Sequence, residues 1–146
     1  MTVINFIKRI FRFKSKNLLV KDNQNNIYEI DKNLYYKLNI FYCFDRSLVE
    51  ILYIPNYVHS IYFQDNELTS LSELPSSLKI LFCHNNKLTS LPKLPKKLMV
   101  LECDNNKIKQ LPDLKKCEEL KEIRCDMCCF EDYMLDMNNT HFTFYC

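Results

Sequence analysis

The sequence predicts a solenoid of stacked short repeats, in which each repeat adds one short parallel strand to a concave face. Three observations predict it: a period of 20 residues, apolar residues at fixed positions in that period, and an asparagine after each predicted strand. Three segments, 54–73, 74–93 and 94–113, align without a gap. Because one repeat cannot bury its own apolar face, the stacking of neighbours must supply the core.

The aligned repeats share their apolar residues, prolines and asparagines position by position. The shared positions are Pro55, Pro75 and Pro95; Val58, Leu78 and Leu98; Ile61, Leu81 and Leu101; Asn66, Asn86 and Asn106; and Leu68, Leu88 and Ile108. They spell L-x-x-L-x-L-x-x-N/C-x-L, the leucine-rich-repeat signature. Each asparagine follows a strand where the chain turns, so we expect its side chain to bond the backbone groups freed there.

Two weaker copies flank these repeats, a degenerate one at 34–53 and an atypical one at 114–133. The first has Arg46 at the asparagine position, and the second has Cys128 there and two extra residues in its connection. We predict a structural ladder made of Asn66, Asn86, Asn106 and Cys128. Twenty residues leave little room for an α-helix, so we expect an extended or single-turn convex side, with the prolines fixing φ.

A solenoid must cover its end faces, and residues 1–33 are predicted to form the N-terminal cap. Residues 3–13 place apolar side chains at helical spacing opposite cationic ones, which predicts a basic amphipathic capping helix. An alternative is a helix that lies on an anionic membrane surface. Residues 18–21 and 26–30 flank a polar tetrapeptide and predict a hairpin.

Residues 134–146 are predicted to form the C-terminal cap. Phe142-Thr143-Phe144 alternates like a final strand that would close the last repeat. The repeats end shortly before this tail.

The 20-residue period with its Leu-Pro opening resembles the repeats of enterobacterial type III effectors, and those of repeat proteins in large AT-rich DNA viruses of amoebae. The resemblance covers roughly residues 34–130 and implies the leucine-rich-repeat fold. Effector ligases carry a large catalytic domain beyond their repeats. Because only a short tail follows the repeats here, we do not expect that activity.

Composition and charge narrow the class of partner. Lys plus Arg number 20 and Asp plus Glu number 18, and a net charge of +2 is too small to favour nucleic acid.

No apolar run is long enough to cross a membrane. Residues 1–7 are apolar, but Lys8 and Arg9 follow at once, and no small-residue cleavage site comes after them. We therefore expect an intracellular, cytoplasmic protein.

Eight cysteines raise the question of disulfides or zinc. Four of them share one inward position of the repeat: Cys43, Cys83, Cys103 and Cys125. In adjacent strands their Cβ atoms would lie about 4.8 Å apart, beyond the roughly 3.8 Å of a disulfide, so we expect reduced core thiols. A zinc-binding cap is the alternative, built from Cys125-x-x-Cys128 with Cys117, Cys129, His141 and Cys146 nearby. Since repeat positions explain Cys125 and Cys128, we predict no metal.

No arrangement in the sequence is typical of catalysis. Cys83 and His84 are adjacent on a strand, so they face opposite sides and cannot form a nucleophile–base pair. The chain has no glycine for a phosphate-binding loop. We predict no catalytic residue and no cofactor. The alternative from the enzyme class is a cysteine-dependent activity, which would need a thiol of low pKa among Cys117, Cys128, Cys129 and Cys146.

The outward side chains of the strands form three rows. These read Tyr42, Tyr62, Phe82, Glu102, Arg124; then Phe44, Gln64, His84, Asp104, Asp126; then Ile40, Ser60, Ile80, Val100, Glu122. Their aromatic and aliphatic members favour an interaction site, and the later ones are mostly acidic. We predict that a partner contacts Tyr62, Gln64, Ile80, Phe82, His84, Glu102, Asp104 and Arg124.

These observations predict an intracellular protein–protein interaction module whose partner has an apolar anchor beside a basic patch. If the viral resemblance holds, it would act in the cytoplasm of an infected host cell. One alternative is a substrate-recognition subunit of a ubiquitin ligase, although no F-box-like segment precedes the repeats. Another is a membrane-peripheral protein held by residues 1–16, which carry five cations and no acid.

Overall fold

The computed structural model describes residues 18–30, 39–44, 46–126 and 143–145. Within these ranges, short strands form two sheets, one of three strands and one of six. The strands are β1 (Leu18–Asp22), β2 (Ile27–Ile30), β3 (Ile40–Tyr42), β4 (Leu48–Tyr53), β5 (Ser60–Tyr62), β6 (Ile80–Phe82), β7 (Val100–Glu102), β8 (Glu122–Arg124) and β9 (Thr143–Tyr145).

The larger sheet is parallel and runs in the order β3-β5-β6-β7-β8-β9. Its register follows the repeat alignment, since Tyr62 pairs with Phe82 and Phe82 pairs with Glu102. The step from Glu102 to Arg124 spans the two extra residues of the atypical repeat. The chain is therefore a leucine-rich-repeat solenoid, as predicted. The predicted closing strand is also present as β9, which pairs with β8.

The core lies between the sheet and the returning segments. In each repeat the middle residue of the strand points inward, and Leu81 and Leu101 are fully buried. The residue that follows the strand also points inward; it is Phe63 after β5 and Cys83 after β6, and both are fully buried. These side chains, with the leucines of the return path, form one continuous apolar cluster along the solenoid. Stacking thus buries what a single repeat could not.

The return path of the regular repeats is extended and ends with a tight turn just before the next strand. The carbonyl of Pro75 accepts a hydrogen bond from the backbone N–H of Leu78 at 3.0 Å, and Pro95 and Leu98 repeat this contact at 3.0 Å. In the atypical repeat, a single 3-10 turn at Leu114–Lys116 occupies the longer connection. Both forms agree with the predicted extended or single-turn convex side.

The predicted hairpin is present as β1 and β2, which pair antiparallel. An unpredicted strand, β4, joins them by pairing antiparallel with β1. The reason lies in the return path of the degenerate repeat, which reads Leu-Val-Glu-Ile-Leu-Tyr over 48–53, whereas 88–93 reads Leu-Thr-Ser-Leu-Pro-Lys. The first is rich in strand-forming residues, and the second contains a proline that cannot donate to a sheet.

Several predictions concern residues outside the described ranges. They are the capping helix at 3–13, the ladder position of Cys128, and the zinc alternative as far as it involves Cys129, His141 and Cys146. Over the described part of the chain, no helix has the length and apolar character needed to cross a bilayer.

Candidate functional site: the concave face

The outward rows of the parallel sheet form a concave face, made here by residues 40–44, 60–64, 80–84, 100–104 and 122–126. In β6 the first and last residues, Ile80 and Phe82, are half-buried on this face, and the middle residue, Leu81, is buried. The same pattern holds around Leu101 in β7. The repeats therefore hold the outward side chains at regular positions on a rigid backbone.

At one end of this face, aromatic rings stack into a ladder that we call the aromatic ladder: Tyr42, Tyr62 and Phe82. The rings of Tyr42 and Tyr62 are parallel, with centroids 4.6 Å apart and an interplanar angle of 15°. Tyr62 and Phe82 meet edge to face at 5.0 Å and 74°. Such contacts hold the rings in fixed orientations and present a preformed apolar surface.

The rings of the aromatic ladder are partly shielded from water, and Phe44 extends the apolar surface beside them. Burial raises the pKa of Tyr62, and the neighbouring Tyr42 and Glu102 raise it further. Phe44 packs edge to face on Tyr42, with ring centroids 6.5 Å apart, and it is still 49% exposed. An exposed phenylalanine beside stacked rings extends the apolar surface beyond the strands.

Toward the other end, the adjacent row contains Gln64, His84 and Asp104, which we call the polar row. Gln64 Oε1, His84 Nδ1 and Asp104 Oδ1 are each buried without a hydrogen-bond partner among the described residues. A buried polar atom left unpaired costs on the order of 1–3 kcal/mol. Three such atoms in consecutive repeats make this row unfavourable for the isolated fold, which marks it as a candidate binding element.

The polar row meets the aromatic row at His84. Its Nδ1 lies 3.3 Å from Oε2 of Glu102, a contact without hydrogen-bond geometry. One ligand atom from each of His84, Glu102 and Asp104 lies within 4.8 Å of the others. We call these three residues the His84 cluster. The centroid of the His84 imidazole lies 6.2 Å from that of the Phe82 ring. The aromatic ladder and the His84 cluster therefore form one continuous surface.

The asparagine ladder has a different character. The Asn86 amide nitrogen donates toward the carbonyls of Phe63 at 2.9 Å and of Cys83 and His84 at 3.1 Å each. Its Oδ1 accepts from the backbone N–H of Leu68 at 2.9 Å. Asn66 and Asn106 make the corresponding contacts in their repeats. These side chains tie successive turns together, which agrees with their predicted structural position.

The inward cysteines do not contribute reactive groups. Five cysteines are buried and form no disulfide with another described residue: Cys43, Cys83, Cys103, Cys117 and Cys125. Burial raises the pKa of Cys43 to about 12, and it also raises the pKa of Cys83. Burial raises the pKa of Cys117 as well, which is the opposite of the low-pKa thiol that the cysteine-enzyme alternative requires. Cys117 is therefore removed from that alternative.

The structure places all the predicted contact residues on the concave face. It brings His84, Glu102 and Asp104 together, and it places Arg124 on β8, exposed and opposite Glu102. Sequence reasoning linked His84 only with Asp104 in its own row. The approach of Glu102 was missed, because it crosses from one row to the next.

The comparisons with known proteins support the fold. No protein family and no curated protein matches the chain. Among solved structures, it is similar to YopM from Yersinia enterocolitica WA-314, with 33% identity, a TM-score of 0.59, and coverage of 60% of this chain and 20% of that one. It is also similar to a Shigella effector LRR domain, with 20% identity, a TM-score of 0.59, and coverage of 86% and 57%.

The chain thus spans about a fifth of the first neighbour and a little over half of the second. The resemblance to the repeats of bacterial type III effectors is confirmed at the level of fold.

Proposed function

We propose that the chain is a protein-interaction module that binds a protein partner on its concave face. The observation that carries the proposal is the aromatic ladder, in which Tyr42, Tyr62 and Phe82 stack on an outward face rather than in the core. Aromatic side chains fixed in this way are the usual anchors of protein interfaces. The similarity to effector leucine-rich repeats supports the same class of function, with the repeats as a non-catalytic scaffold.

The partner is expected to combine an apolar anchor with a basic patch. The anchor would pack on Tyr62, Phe82 and Ile80, which are half-buried before any partner binds. The basic patch would face Glu102 and Asp104 at the next repeat. Rim charges of this kind steer association and add specificity more than they add affinity.

The first test compares capture of partners by wild type and by Tyr62→Ala/Phe82→Ala from lysate, followed by measurement of the affinity of the captured protein. We expect the double variant to lose on the order of 2–4 kcal/mol of binding free energy, because it removes two adjacent anchors. The matched control is Ile27→Ala, which truncates an apolar side chain that is 43% exposed on the hairpin, away from this face. Equal affinity of wild type and double variant would overturn the proposal.

A second test addresses the charged end. Glu102→Lys/Asp104→Lys should slow association with the same partner more than it speeds dissociation, and the difference should shrink as salt is raised. Stopped-flow or surface-plasmon measurements at two salt concentrations check this. An unchanged association rate would contradict the basic patch while leaving the apolar anchor standing.

A further inference from the structure

The polar groups of the concave face form a cluster that the repeat architecture does not explain, and two of them, Glu102 and Asp104, also belong to the surface proposed to contact the partner. We propose that His84, Glu102 and Asp104 bind a divalent transition-metal ion, best matched by Zn²⁺. The inference goes beyond the proposed function, since it concerns a ligand other than a protein. It also goes beyond the sequence, from which no metal site was predicted.

The geometry of the three groups supports the site. The 3.3 Å between His84 Nδ1 and Glu102 Oε2 equals the edge of a tetrahedron with metal–ligand bonds of about 2.0 Å. All three ligand atoms lie within 4.8 Å of one another, a spacing that one metal ion could bridge. Three protein ligands with an open fourth position are the pattern of zinc sites that also bind a further group.

The types of ligand atom in the cluster favour Zn²⁺ over other divalent ions. One imidazole nitrogen with two carboxylates suits Zn²⁺ and its neighbours, whereas Mg²⁺ and Ca²⁺ prefer sites made of oxygen alone. The ion would also satisfy two buried polar atoms, because His84 Nδ1 and Asp104 Oδ1 accept no hydrogen bond from any residue that the structure describes. It would neutralise two carboxylates that lie side by side.

The site is built into the repeat. Glu102 is the last residue of β7, and His84 and Asp104 each follow their strands by two residues. The Asn86 and Asn106 side chains bond the carbonyls of His84 and Asp104 respectively, at 3.1 and 3.2 Å. The backbone beneath two of the proposed ligands is therefore held by the asparagine ladder, which is how supporting hydrogen bonds usually position metal ligands.

The experiment titrates Zn²⁺ alone into the reduced, purified full chain and follows the imidazole nitrogens by long-range ¹H–¹⁵N correlation. The chain has three histidines, so each can be observed separately. We expect one equivalent of Zn²⁺ to shift the Nδ1 signal of His84 and to leave those of His59 and His141 in place. A shift confined to His141, or no shift at His84, would overturn the proposal.

Affinity measurements with a competing chelator test the carboxylates. Glu102→Gln and Asp104→Asn keep the size of each side chain, and each should weaken Zn²⁺ binding by more than the roughly 10–100-fold that loss of a supporting neighbour costs. The matched controls are Glu122→Gln, an exposed carboxylate on the next strand, and His59→Gln; both should retain wild-type affinity. Wild-type affinity in Glu102→Gln and Asp104→Asn would overturn the site.

Co²⁺ substitution separates this site from cysteine ligation. Binding at the His84 cluster should give no thiolate-to-metal charge-transfer absorption, since its ligands are nitrogen and oxygen. Strong charge transfer that persists in His84→Gln would assign the ion to cysteines and overturn the proposal.

Discussion

The asparagine ladder and the polar row lie two positions apart in each of the three regular repeats, yet they satisfy their hydrogen bonds very differently. Asn86 bonds three carbonyls and one backbone N–H, whereas His84 Nδ1, two residues earlier, is buried and has no hydrogen bond within the described part of the chain. Both rows are stacked by the same 20-residue period. Repetition alone therefore does not distinguish the two rows; the hydrogen bonds of their polar atoms do.

The largest effect that this comparison predicts is on stability, in the asparagine ladder. Asn86→Ala should lower the free energy of unfolding by about 3–5 kcal/mol, because it leaves several buried backbone groups unpaired at once. Urea denaturation followed by circular dichroism measures the change. The matched variant is Asn106→Ala, whose side chain is less buried and which should cost less. A loss below about 1 kcal/mol for Asn86→Ala would show that water replaces these bonds, and the contrast between the rows would fail.

The inward cysteine row provides the next test, because it lies on the opposite side of the same strand ends. Cys83→Ser should destabilise by about 1–3 kcal/mol, since it places a hydroxyl where the surroundings are apolar and fully buried. Chemical denaturation checks this. In the folded protein Cys83 should also resist alkylation, because burial raises its pKa and excludes the reagent. Rapid alkylation under native conditions would contradict the buried position.

The fold was largely predictable from the sequence, for a physical reason. A gapless period fixes which residues stack, and the alternation along a strand fixes which point inward, so the sequence alone places Tyr62, Phe82 and Glu102 in one row. The strand β4 was not predicted, because its pairing with β1 joins segments about 30 residues apart and follows no repeat. Its strand-forming composition over 48–53 is visible only by comparison with the proline-containing 88–93.

The sequence predicts which residues form the concave surface, but it does not predict that His84, Glu102 and Asp104 come together there. The rows identified which side chains face outward, whereas the approach of Glu102 to His84 is diagonal, from one strand to a residue two positions beyond its partner. Long side chains can span such a diagonal, but side-chain rotation decides whether they do. The unsatisfied atoms of the polar row are likewise a property of three-dimensional packing that no spacing reveals.

The polar row itself should respond to substitution in the opposite direction from the asparagine ladder. Gln64→Met removes a buried oxygen without a hydrogen bond and keeps a side chain of similar length. We expect stability to stay equal or to rise by up to about 1 kcal/mol, measured by urea denaturation. A loss of more than about 1 kcal/mol would show that Gln64 supports the fold and would place it with the asparagines.

The smallest predicted effect concerns an exposed ion pair beside the asparagine ladder. Glu67 accepts from Lys87 at 2.7 Å and from the Asn23 side chain of the hairpin at 3.2 Å. These contacts lower the pKa of Glu67 below its ordinary value of 4.5, and the hydrogen bond from Lys87 contributes most. Both partners of the pair are well exposed, so solvent screens the interaction and its effect on stability should be slight.

The pH dependence gives this small effect a definite sign. Because folding lowers the pKa of Glu67, its contribution is fully present above the pKa of the unfolded chain and is lost as the pH falls through the folded value. The urea midpoint of Glu67→Gln should therefore lie slightly below that of wild type at neutral pH and approach it below pH 4.5. Raised salt should also narrow the gap, and the exposed Glu73→Gln should show no such convergence. A gap that widens on acidification would mean that the Glu67 carboxylate is not stabilised by Lys87 and Asn23.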